Sequence, residues 1–414
     1  MVDIASIFLS CLQTLKEFKT HAADTSYYKT RREHIGEAQP LVNGSCAHQF
    51  LVPASDRSAC VLPGRIDVAR AYVASGGTEG RKEALPLLLS RVQSFGRYHF
   101  NISEFPVVEN LFSSPKFQKL AKSVCPPHQQ ILDPFQFNFI ANLPGQTVAA
   151  HIDAPYFFGA DRFHVPQWLL AVMVFSGLFQ QEFVHQVQVV AYIHRWQDPL
   201  GTAGGDFVYW NDASGTLERI RSTPRSGSAV DGSKTVHAAT VFRPNVHPPF
   251  LDKSKSTVLR FEDASGADSS SLEDTRGRWS VSSDGRVLQA YNTSDLRFSV
   301  VYRARCFADV ESRDRFAQQR REGGPSGDGD MIPLDTILRR LTDGLVARGA
   351  VTQERVSQMS AIDTAFLLID KYVKYPLAGS DLAFVPLNYC AAKMLPNVPA
   401  FVHLLLDAVC ETHK

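Results

Sequence analysis

Short strand-forming segments separated by turns dominate the sequence between residues 135 and 307. Residues 135–140 alternate in the manner of a half-buried strand, Pro144-Gly145 marks a turn, and the next strand begins at Val148. One helix, 167–179, interrupts the strands. This pattern predicts an α+β protein with a sandwich or jelly-roll core, because two packed sheets protect each other's edges. The further predicted strands are 187–192, 206–210, 217–221, 235–242, 256–261, 279–281, 287–291 and 296–307.

The two ends of the chain have a helical rather than a strand-like pattern. Helical spacing of apolar residues is found at 4–20, 66–74, 83–95, 105–124, 334–347, 352–375 and 398–409. Residues 312–330 are charged and glycine-rich, and are interpreted as a surface linker or loop. The predicted organisation is a mainly helical N-terminal region (1–130), a β-sheet core (131–310) and a helical C-terminal region (311–414).

Charge and hydropathy limit the partners of the chain. Its 43 basic and 42 acidic residues almost cancel, so it lacks the basic balance of a nucleic-acid binder or a polybasic membrane anchor. The longest apolar run, 168–179, is too short to cross a bilayer. The N-terminus has no basic segment of the kind that opens a signal peptide. These features predict a cytoplasmic protein with no membrane association, and they disfavour nucleic acid as a partner.

The seven cysteines are odd in number, widely scattered and free of Cys-x-x-Cys pairs. Neither a zinc site nor a disulfide framework is therefore indicated. Reduced thiols, as in a cytosol-like compartment, are expected.

Residues 146–155 (QTVAAHIDAP) place a histidine and a carboxylate two positions apart at the end of a strand-forming run. Side chains at i and i+2 of a strand point to the same face, about 6–7 Å apart at the backbone. His151 and Asp153 would therefore offer an imidazole nitrogen and a carboxylate oxygen to one metal ion. One further histidine would complete a 2-His-1-carboxylate triad, which leaves positions open on Fe(II). A His-x-Asp pair alone is common, so the rest of the chain decides.

Three downstream blocks give the pair its context. They are 204–210 (GGDFVYW), 231–237 (DGSKTVH) and 297–303 (RFSVVYR). In this order, over roughly residues 135–307, they resemble the double-stranded β-helix core of the 2-oxoglutarate- and Fe(II)-dependent oxygenases. The resemblance implies that His237 is the third metal ligand, beside His151 and Asp153. It also implies Fe(II) as the metal, and 2-oxoglutarate and O2 as cosubstrates.

The same resemblance assigns the 2-oxoglutarate site. Arg297 would bind its distal carboxylate, because a guanidinium pairs with a carboxylate through two hydrogen bonds. Ser299, on the same face of the strand, would add a hydroxyl group, and Asn138 would line the site. Arg297 lies farther from His237 than is usual in the family, which predicts an insertion at about 244–294 with an extra hairpin around 283–285. Without that insertion, the partner of 2-oxoglutarate would be Arg243 or Arg260.

Other histidines have simpler interpretations. His237 lies in an apolar strand, where a histidine is more often a core residue than a ligand, but the blocks around it reverse that balance. His247 precedes two prolines, which indicates a loop. His164, His185 and His194 are interpreted as structural or surface residues.

The resemblance implies an oxygenase that converts 2-oxoglutarate to succinate and CO2 and hydroxylates a C–H bond, with ascorbate as a supporting reductant. Asp153, in place of glycine or alanine, favours hydroxylation over halogenation. The balanced charge favours a small molecule or a protein side chain as substrate. Residues 297–303 resemble both the double-arginine strand of nucleic-acid dealkylases and the corresponding strand of prolyl hydroxylases. By strand parity Arg303 and Arg305 share the face of Arg297, and all three could instead be solvated strand residues.

Two other classes of function stay open at this point. The core could be a non-catalytic cupin-like binding module, or the metal could be zinc in a hydrolase. The helical ends fit a dimer interface, a lid over the site or a protein-docking surface, and the sequence does not separate these three roles.

Overall fold

The computed structural model describes residues 17–20, parts of 38–62, residues 87 and 90–99, and residues 106–373 with gaps at 163–164, 195, 197, 211–215, 253–254, 263–276 and 323–330. Within this part of the chain the fold is a mixture of helices and antiparallel sheets. The strands are β1 (Glu17–Thr20), β2 (Val52–Pro53), β3 (Cys60–Val61), β4 (Phe95–His99), β5 (Ile131–Asn142), β6 (Val148–His151), β7 (Tyr156–Phe157), β8 (Phe183–Val184), β9 (Gln186–Tyr192), β10 (Phe207–Trp210), β11 (Leu217–Ile220), β12 (Gly227–Asp231), β13 (His237–Ala239), β14 (Thr257–Glu262), β15 (Arg278–Ser283), β16 (Arg286–Asn292) and β17 (Arg297–Phe307). The helices are α1 (Pro106–Ser113), α2 (Pro115–Val124), α3 (Gln167–Ser176), α4 (Val310–Glu322), α5 (Leu334–Ala347), α6 (Gln353–Gln358) and α7 (Ala361–Tyr372), with one 3₁₀ turn at Thr293–Asp295.

Two sheets form the centre of the fold. The large sheet has nine strands in the order β12-β9-β17-β5-β4-β1-β14-β15-β16, and the small sheet has four in the order β11-β10-β13-β6. They face each other, since the Gln188 side chain on β9 reaches His237 on β13. Two short pairs, β2-β3 and β7-β8, lie outside these sheets. The sandwich predicted from the short strands is therefore observed.

The sequence alternation of β17 gives the large sheet one apolar and one polar face. Phe298, Val300, Tyr302 and Ala304 belong to the main hydrophobic cluster, while the residues between them point to the small sheet. Helices α1 and α2 cover the apolar face, and Phe112 and Phe117 pack on the Tyr302 ring at centroid distances of 4.7 and 5.0 Å. Each phenylalanine buried in this way contributes roughly 1.5–3 kcal/mol. The polar face is left for the functional site.

Helix α3 lies between the small sheet and the C-terminal helices, and an apolar sequence allows both of its sides to be buried. Ala171 packs against the small sheet with Ile152 and Val208. The opposite side belongs to a second cluster that includes Leu341 of α5 and Leu368 of α7. The helix ends at Gly177, whose φ of 68° is the left-handed conformation that glycine adopts most easily. The C-terminal helices therefore support the small sheet through α3.

Three strands lie within the segment 244–294 that was predicted as an insertion. β14, β15 and β16 pair antiparallel and extend the large sheet beyond β1. The β15–β16 hairpin turns at Asp284 and Gly285, whose φ angles of 47° and 80° are both positive, as in the two-residue turns that join twisted strands. The hairpin expected around 283–285 is confirmed.

Some element predictions were wrong. Residues 17–20 fall in the predicted helix 4–20 but form β1 of the large sheet, because they pair with distant parts of the chain. β4 begins at the last residue of the predicted helix 83–95, in a segment for which no strand was predicted. The charged segment beginning at 312 was predicted to be a loop, yet α4 covers Val310–Glu322. The predicted helices at 66–74 and 398–409 lie outside the described residues.

The expectation of reduced thiols was also wrong. Cys46 is bonded to Cys60, and Cys125 to Cys306, over sequence separations of 14 and 181. The second bond joins the end of α2 to the end of β17, a proximity that only the tertiary fold creates. Disulfides persist in oxidising surroundings, so the cysteines no longer support the cytoplasmic prediction. Among the described residues, no helix is both long and apolar enough to cross a lipid bilayer.

Removing the long-range disulfide is expected to destabilise the fold. The double variant Cys125→Ser/Cys306→Ser should lose about 2–4 kcal/mol of unfolding free energy, because the bond restricts the unfolded chain over a large loop. Urea unfolding followed by circular dichroism measures the loss. The Cys46→Ser/Cys60→Ser variant, which opens a much shorter loop, should lose less. Equal stability of the first variant and the wild type would contradict the prediction.

Candidate metal centre

Two neighbouring strands of the small sheet bring the predicted ligands together. His151 ends β6 and is the direct cross-strand partner of His237, which begins β13. Their ring centroids lie 4.3 Å apart. Asp153 lies just beyond the end of β6, where its backbone N–H donates to the Gly232 carbonyl at 2.7 Å. One ligand atom from each of the three buried side chains lies within 4.8 Å of the others, so a single cation could contact all three.

The hydrogen bonds of His237 determine which ring nitrogen faces the centre. Nδ1 lies 2.9 Å from the Thr235 carbonyl oxygen, which can only accept, so Nδ1 carries the proton and donates. Nε2 therefore keeps its lone pair, and the Gln188 side-chain amide donates to it at 2.9 Å. A histidine whose second nitrogen is fixed by a carbonyl is the usual arrangement of a metal ligand.

Asp153 is held in its charged form. The Arg303 guanidinium donates to both carboxylate oxygens, from Nη2 to Oδ1 at 2.7 Å and from Nε to Oδ2 at 3.1 Å. Burial by itself would raise the pKa of Asp153, but Arg303 and the imidazoles of His237 and His151 outweigh it and lower the pKa to about 2. The group is therefore an anion throughout the range in which the protein would work, as a metal ligand must be.

Arg303 also ties the centre to a row of amides on the inner face of the large sheet. Its Nη2 donates to Gln188 Oε1 at 2.9 Å and its Nη1 to Gln136 Oε1 at 3.3 Å. With its amide turned to suit its neighbours, Asn138 accepts from Nη1 at 3.0 Å. The predicted lining residue Asn138 and the candidate ligand Asp153 therefore accept hydrogen bonds from the same guanidinium.

Arg297 also lies between the two sheets and is buried, with 4% of its surface exposed. Its Nη1 donates to Asn142 Oδ1 at 2.8 Å, and its guanidinium carbon lies 4.9 Å from the centroid of the Tyr192 ring. Ser299 is buried beside it and pairs with Tyr192 across β17 and β9. A Cβ at position 205 would lie 2.7 Å from Arg297 Cδ, so the Gly-Gly block provides the space for this side chain.

Several buried polar atoms around Arg297 lack a hydrogen-bond partner of good geometry among the described residues. The Tyr192 hydroxyl lies close to Arg297 and Ser228, but the geometry with both falls short of a hydrogen bond. An unpaired buried polar group is costly, and such groups in native structures commonly mark a ligand or ordered water. The unpaired atoms are Arg297 Nε, Asn142 Nδ2, Tyr192 Oη, Ser228 Oγ and both ring nitrogens of His194.

Both alternative arginines lie away from this region. Arg243 forms an ion pair with Asp295 at 3.1 Å and donates to the Ser294 carbonyl. Arg260 is exposed on β14, three strands from β5 in the large sheet. Neither was brought into the interior that Arg297 occupies.

Sequence reasoning missed several residues near the centre. Gln188 is buried and donates to His237, and His194 is buried near Arg297, although His194 was interpreted as a structural or surface residue. A signal for them does exist: residues 186–194 alternate polar and apolar side chains (QVQVVAYIH), and polar residues on one face of an otherwise apolar strand indicate a polar interior. Arg303 was seen as sharing the face of Arg297, but its contact with Asp153 could not be foreseen.

His194 is expected to make stability depend on pH. Burial, reinforced by the Arg297 charge, lowers its pKa to about 3, whereas in the unfolded chain the value is near 6.5. Between these values only the unfolded chain binds the proton, so folding stability falls as the pH falls below about 6.5. From pH 7 to pH 5 this residue alone should remove about 2 kcal/mol. Urea unfolding of the wild type and of His194→Gln at pH 7 and pH 5 tests this. If the difference in unfolding free energy between the two proteins is the same at both pH values, the prediction is refuted.

Comparison with known proteins gave only distant structural similarity. No protein-family model and no curated protein matches the sequence. A Pseudomonas putida prolyl-4-hydroxylase is similar with 11% identity and a TM-score of 0.24, over 51% of this chain and 71% of its own. A 2OG-Fe(II) oxygenase family oxidoreductase from Burkholderia pseudomallei is similar with 10% identity and a TM-score of 0.27, over 52% of this chain and 69% of its own. The non-heme monooxygenase ThoJ in a nickel complex is similar with 10% identity and a TM-score of 0.23, over 61% of this chain and 76% of its own.

Proposed function

We propose that the protein is a 2-oxoglutarate- and Fe(II)-dependent oxygenase with a double-stranded β-helix core. The path of the chain supports this fold, because it alternates between the facing sheets. After β5 in the large sheet it enters the small sheet at β6, returns at β9, and crosses again for β10 and β11. It then passes through β12, β13 and β17 in the large, small and large sheets. The function itself is argued from the site.

The cluster of His151, Asp153 and His237 carries the proposal. Two neutral imidazoles and one carboxylate fit Fe(II) and leave positions open for cosubstrates. These three residues would hold the metal, and their burial would keep bulk water from it. Bound Fe(II), together with 2-oxoglutarate and O2, would supply the oxidising chemistry that hydroxylates a C–H bond and releases succinate and CO2.

The surroundings of Arg297 fit the distal carboxylate of 2-oxoglutarate. A buried guanidinium with an unpaired Nε can donate to a carboxylate, and so can the hydroxyls of Tyr192 and Ser228. These donors are arranged for an anion before it arrives, which lowers the free-energy cost of ordering them on binding. Ser299 on the same face of β17 would contribute a further hydroxyl.

Arg303 would act on the metal ligand rather than on 2-oxoglutarate. Its two hydrogen bonds to Asp153 fix the orientation of the carboxylate and keep it ionised. Gln188 accepts from the same guanidinium and donates to the lone pair of His237 Nε2, a bond that the metal would replace. The chain therefore orients its ligands before a metal binds.

For the substrate we propose a small molecule or a protein side chain that is hydroxylated. A second candidate, oxidative dealkylation of nucleic acid, is favoured by one observation: Arg297 and Arg303 lie on one face of β17, as in the double-arginine strand that residues 297–303 resemble. Against it, the 43 basic and 42 acidic residues leave an excess of only one positive charge for phosphate contacts.

A thermal unfolding experiment tests the proposed class. Mn(II), a redox-inactive substitute for Fe(II), and 2-oxoglutarate together should raise the Tm of the wild type by more than either alone. At one hundred times its dissociation constant a ligand adds about 2.7 kcal/mol. The His151→Ala variant should show no joint increase. A non-catalytic binding module would show no joint effect in the wild type, and a zinc hydrolase would respond to Zn(II) but not to 2-oxoglutarate.

A further inference from the structure

A short turn between β12 and β13, residues 231–235 and here called the ligand turn, contacts two of the three candidate ligands through its backbone. The Gly232 carbonyl accepts from the Asp153 N–H at 2.7 Å. The Thr235 carbonyl accepts from His237 Nδ1 at 2.9 Å. The first contact fixes where Asp153 leaves β6, and the second turns Nε2 of His237 towards the centre. The relative position of these two ligands therefore depends on the shape of the turn.

The ligand turn also packs directly against the Asp153 carboxylate. A Cβ at position 232 would lie 2.4 Å from Asp153 Oδ2 and 3.2 Å from the Gln188 Cβ. Only glycine leaves room for the turn at this distance. Because the turn is in contact with the carboxylate, a change in its shape moves Asp153 as well.

The carboxylate of Asp231 closes the turn. Its Oδ1 accepts from the Ser233 hydroxyl at 2.8 Å and from the Ser233 N–H at 3.2 Å. Its backbone carbonyl accepts from Thr235 at 2.8 Å and from Lys234 at 3.2 Å. Carboxylates that accept from backbone N–H groups in this way stabilise turns. The Asp231 side chain therefore fixes the middle of the ligand turn, while its backbone carbonyl fixes the far end.

The second oxygen of Asp231 connects the turn to the large sheet. Asp231 Oδ2 accepts from His185 Nδ1 at 2.6 Å, a distance typical of a strong, charge-assisted hydrogen bond. His185 itself directly precedes β9, and its carbonyl accepts from the Cys306 N–H of β17 at 2.9 Å. The pair therefore links the ligand turn to β9 and β17 of the large sheet.

We propose that Asp231 and His185 are positioning residues that set the metal affinity of the centre through the ligand turn. This inference rests on the proposed metal site. Neither residue touches a ligand side chain, yet together they fix the carbonyls that orient Asp153 and His237. Outer partners of this kind typically change metal affinity by roughly 10–100-fold when they are removed.

Binding of Co(II), titrated without 2-oxoglutarate, tests the inference independently of activity. Calorimetry gives the affinity, and the visible absorption of bound Co(II) reports the ligand geometry. Asp231→Ala and His185→Phe should each weaken Co(II) binding by roughly 10–100-fold and alter the spectrum. His185→Asn, whose Nδ2 can donate from nearly the position of the imidazole Nδ1, should recover most of the affinity.

Asp198→Ala is the matched control. Asp198 also closes a loop by accepting from two backbone N–H groups, those of Thr202 at 3.0 Å and Ala203 at 2.8 Å, but it contacts no candidate ligand. This variant should bind Co(II) as the wild type does. If Asp231→Ala fails to fold, the Co(II) affinities of Asp231→Asn and of the two His185 variants test the inference in its place.

The outcomes separate this inference from the proposed function. Wild-type affinity and spectrum in both Asp231→Ala and His185→Phe would overturn the positioning role while leaving the metal site intact. Equal weakening in Asp198→Ala would also overturn it, since the effect would then be general loosening. Failure of the wild type itself to bind Co(II) would remove the proposed function and this inference together.

Discussion

Asp153→Ala is expected to reduce the release of succinate from 2-oxoglutarate to background. The assay needs no substrate: it measures the uncoupled reaction with Fe(II), ascorbate and air. The variant removes the one carboxylate of the cluster and leaves the Arg303 cation facing the place where the metal would bind. The loss should therefore exceed the roughly 100-fold effect of outer-partner changes. Breaking a buried ion pair should also cost about 3–5 kcal/mol of stability.

Asp133→Ala separates these two consequences. Asp133 forms an ion pair with Arg305 at 2.6 Å, two residues beyond Arg303 on the same strand, but it is not part of the metal cluster. This variant should lose stability and keep its succinate release per folded molecule. If both variants lose activity in proportion to their folded fraction, the special role of Asp153 is refuted.

Arg297→Leu is expected to raise the KM for 2-oxoglutarate by about 100-fold or more, with metal affinity little changed. Removing one side of a buried charged hydrogen bond costs about 2–5 kcal/mol. Lysine should restore the affinity only in part, because an ammonium group cannot reproduce the two parallel hydrogen bonds of a guanidinium. The KM is obtained from the same succinate assay at varied 2-oxoglutarate.

A cosubstrate that lacks the distal carboxylate shows which atoms Arg297 contacts. The wild type should prefer 2-oxoglutarate strongly over 2-oxovalerate, and Arg297→Leu should lose most of that preference. Arg243→Leu is the control, since Arg243 is paired with Asp295 outside the interior. An increase in KM for Arg243→Leu without one for Arg297→Leu would reverse the assignment in favour of Arg243.

Local pattern was sufficient for the parts of the site that lie on single strands. Alternation over 297–303 placed Arg297, Ser299 and Arg303 on one face of a strand whose other face is apolar, and β17 has that arrangement. The His-x-Asp pair similarly put His151 at a strand end. Side-chain parity is a property of a strand alone, so these predictions needed no knowledge of its neighbours.

Contacts between strands could not be derived in this way. The link from Gln188 to His237, the support of Asp153 by Gly232 and the bond from Cys125 to Cys306 all join residues distant in sequence. Their existence depends on register and on which strands become neighbours. For the same reason β1 was predicted as part of a helix: its apolar spacing was real, but pairing with β4 and β14 in the large sheet prevailed over local preference.

Anaerobic equilibrium dialysis against Fe(II) tests most directly whether one centre is built from two strands. The account predicts one Fe(II) per wild-type chain, a strongly reduced amount in His151→Ala and in His237→Ala, and tighter binding of 2-oxoglutarate when the metal is present. Retention of the full Fe(II) content by His237→Ala would contradict it, because the histidine of β13 would then have no part in holding the metal.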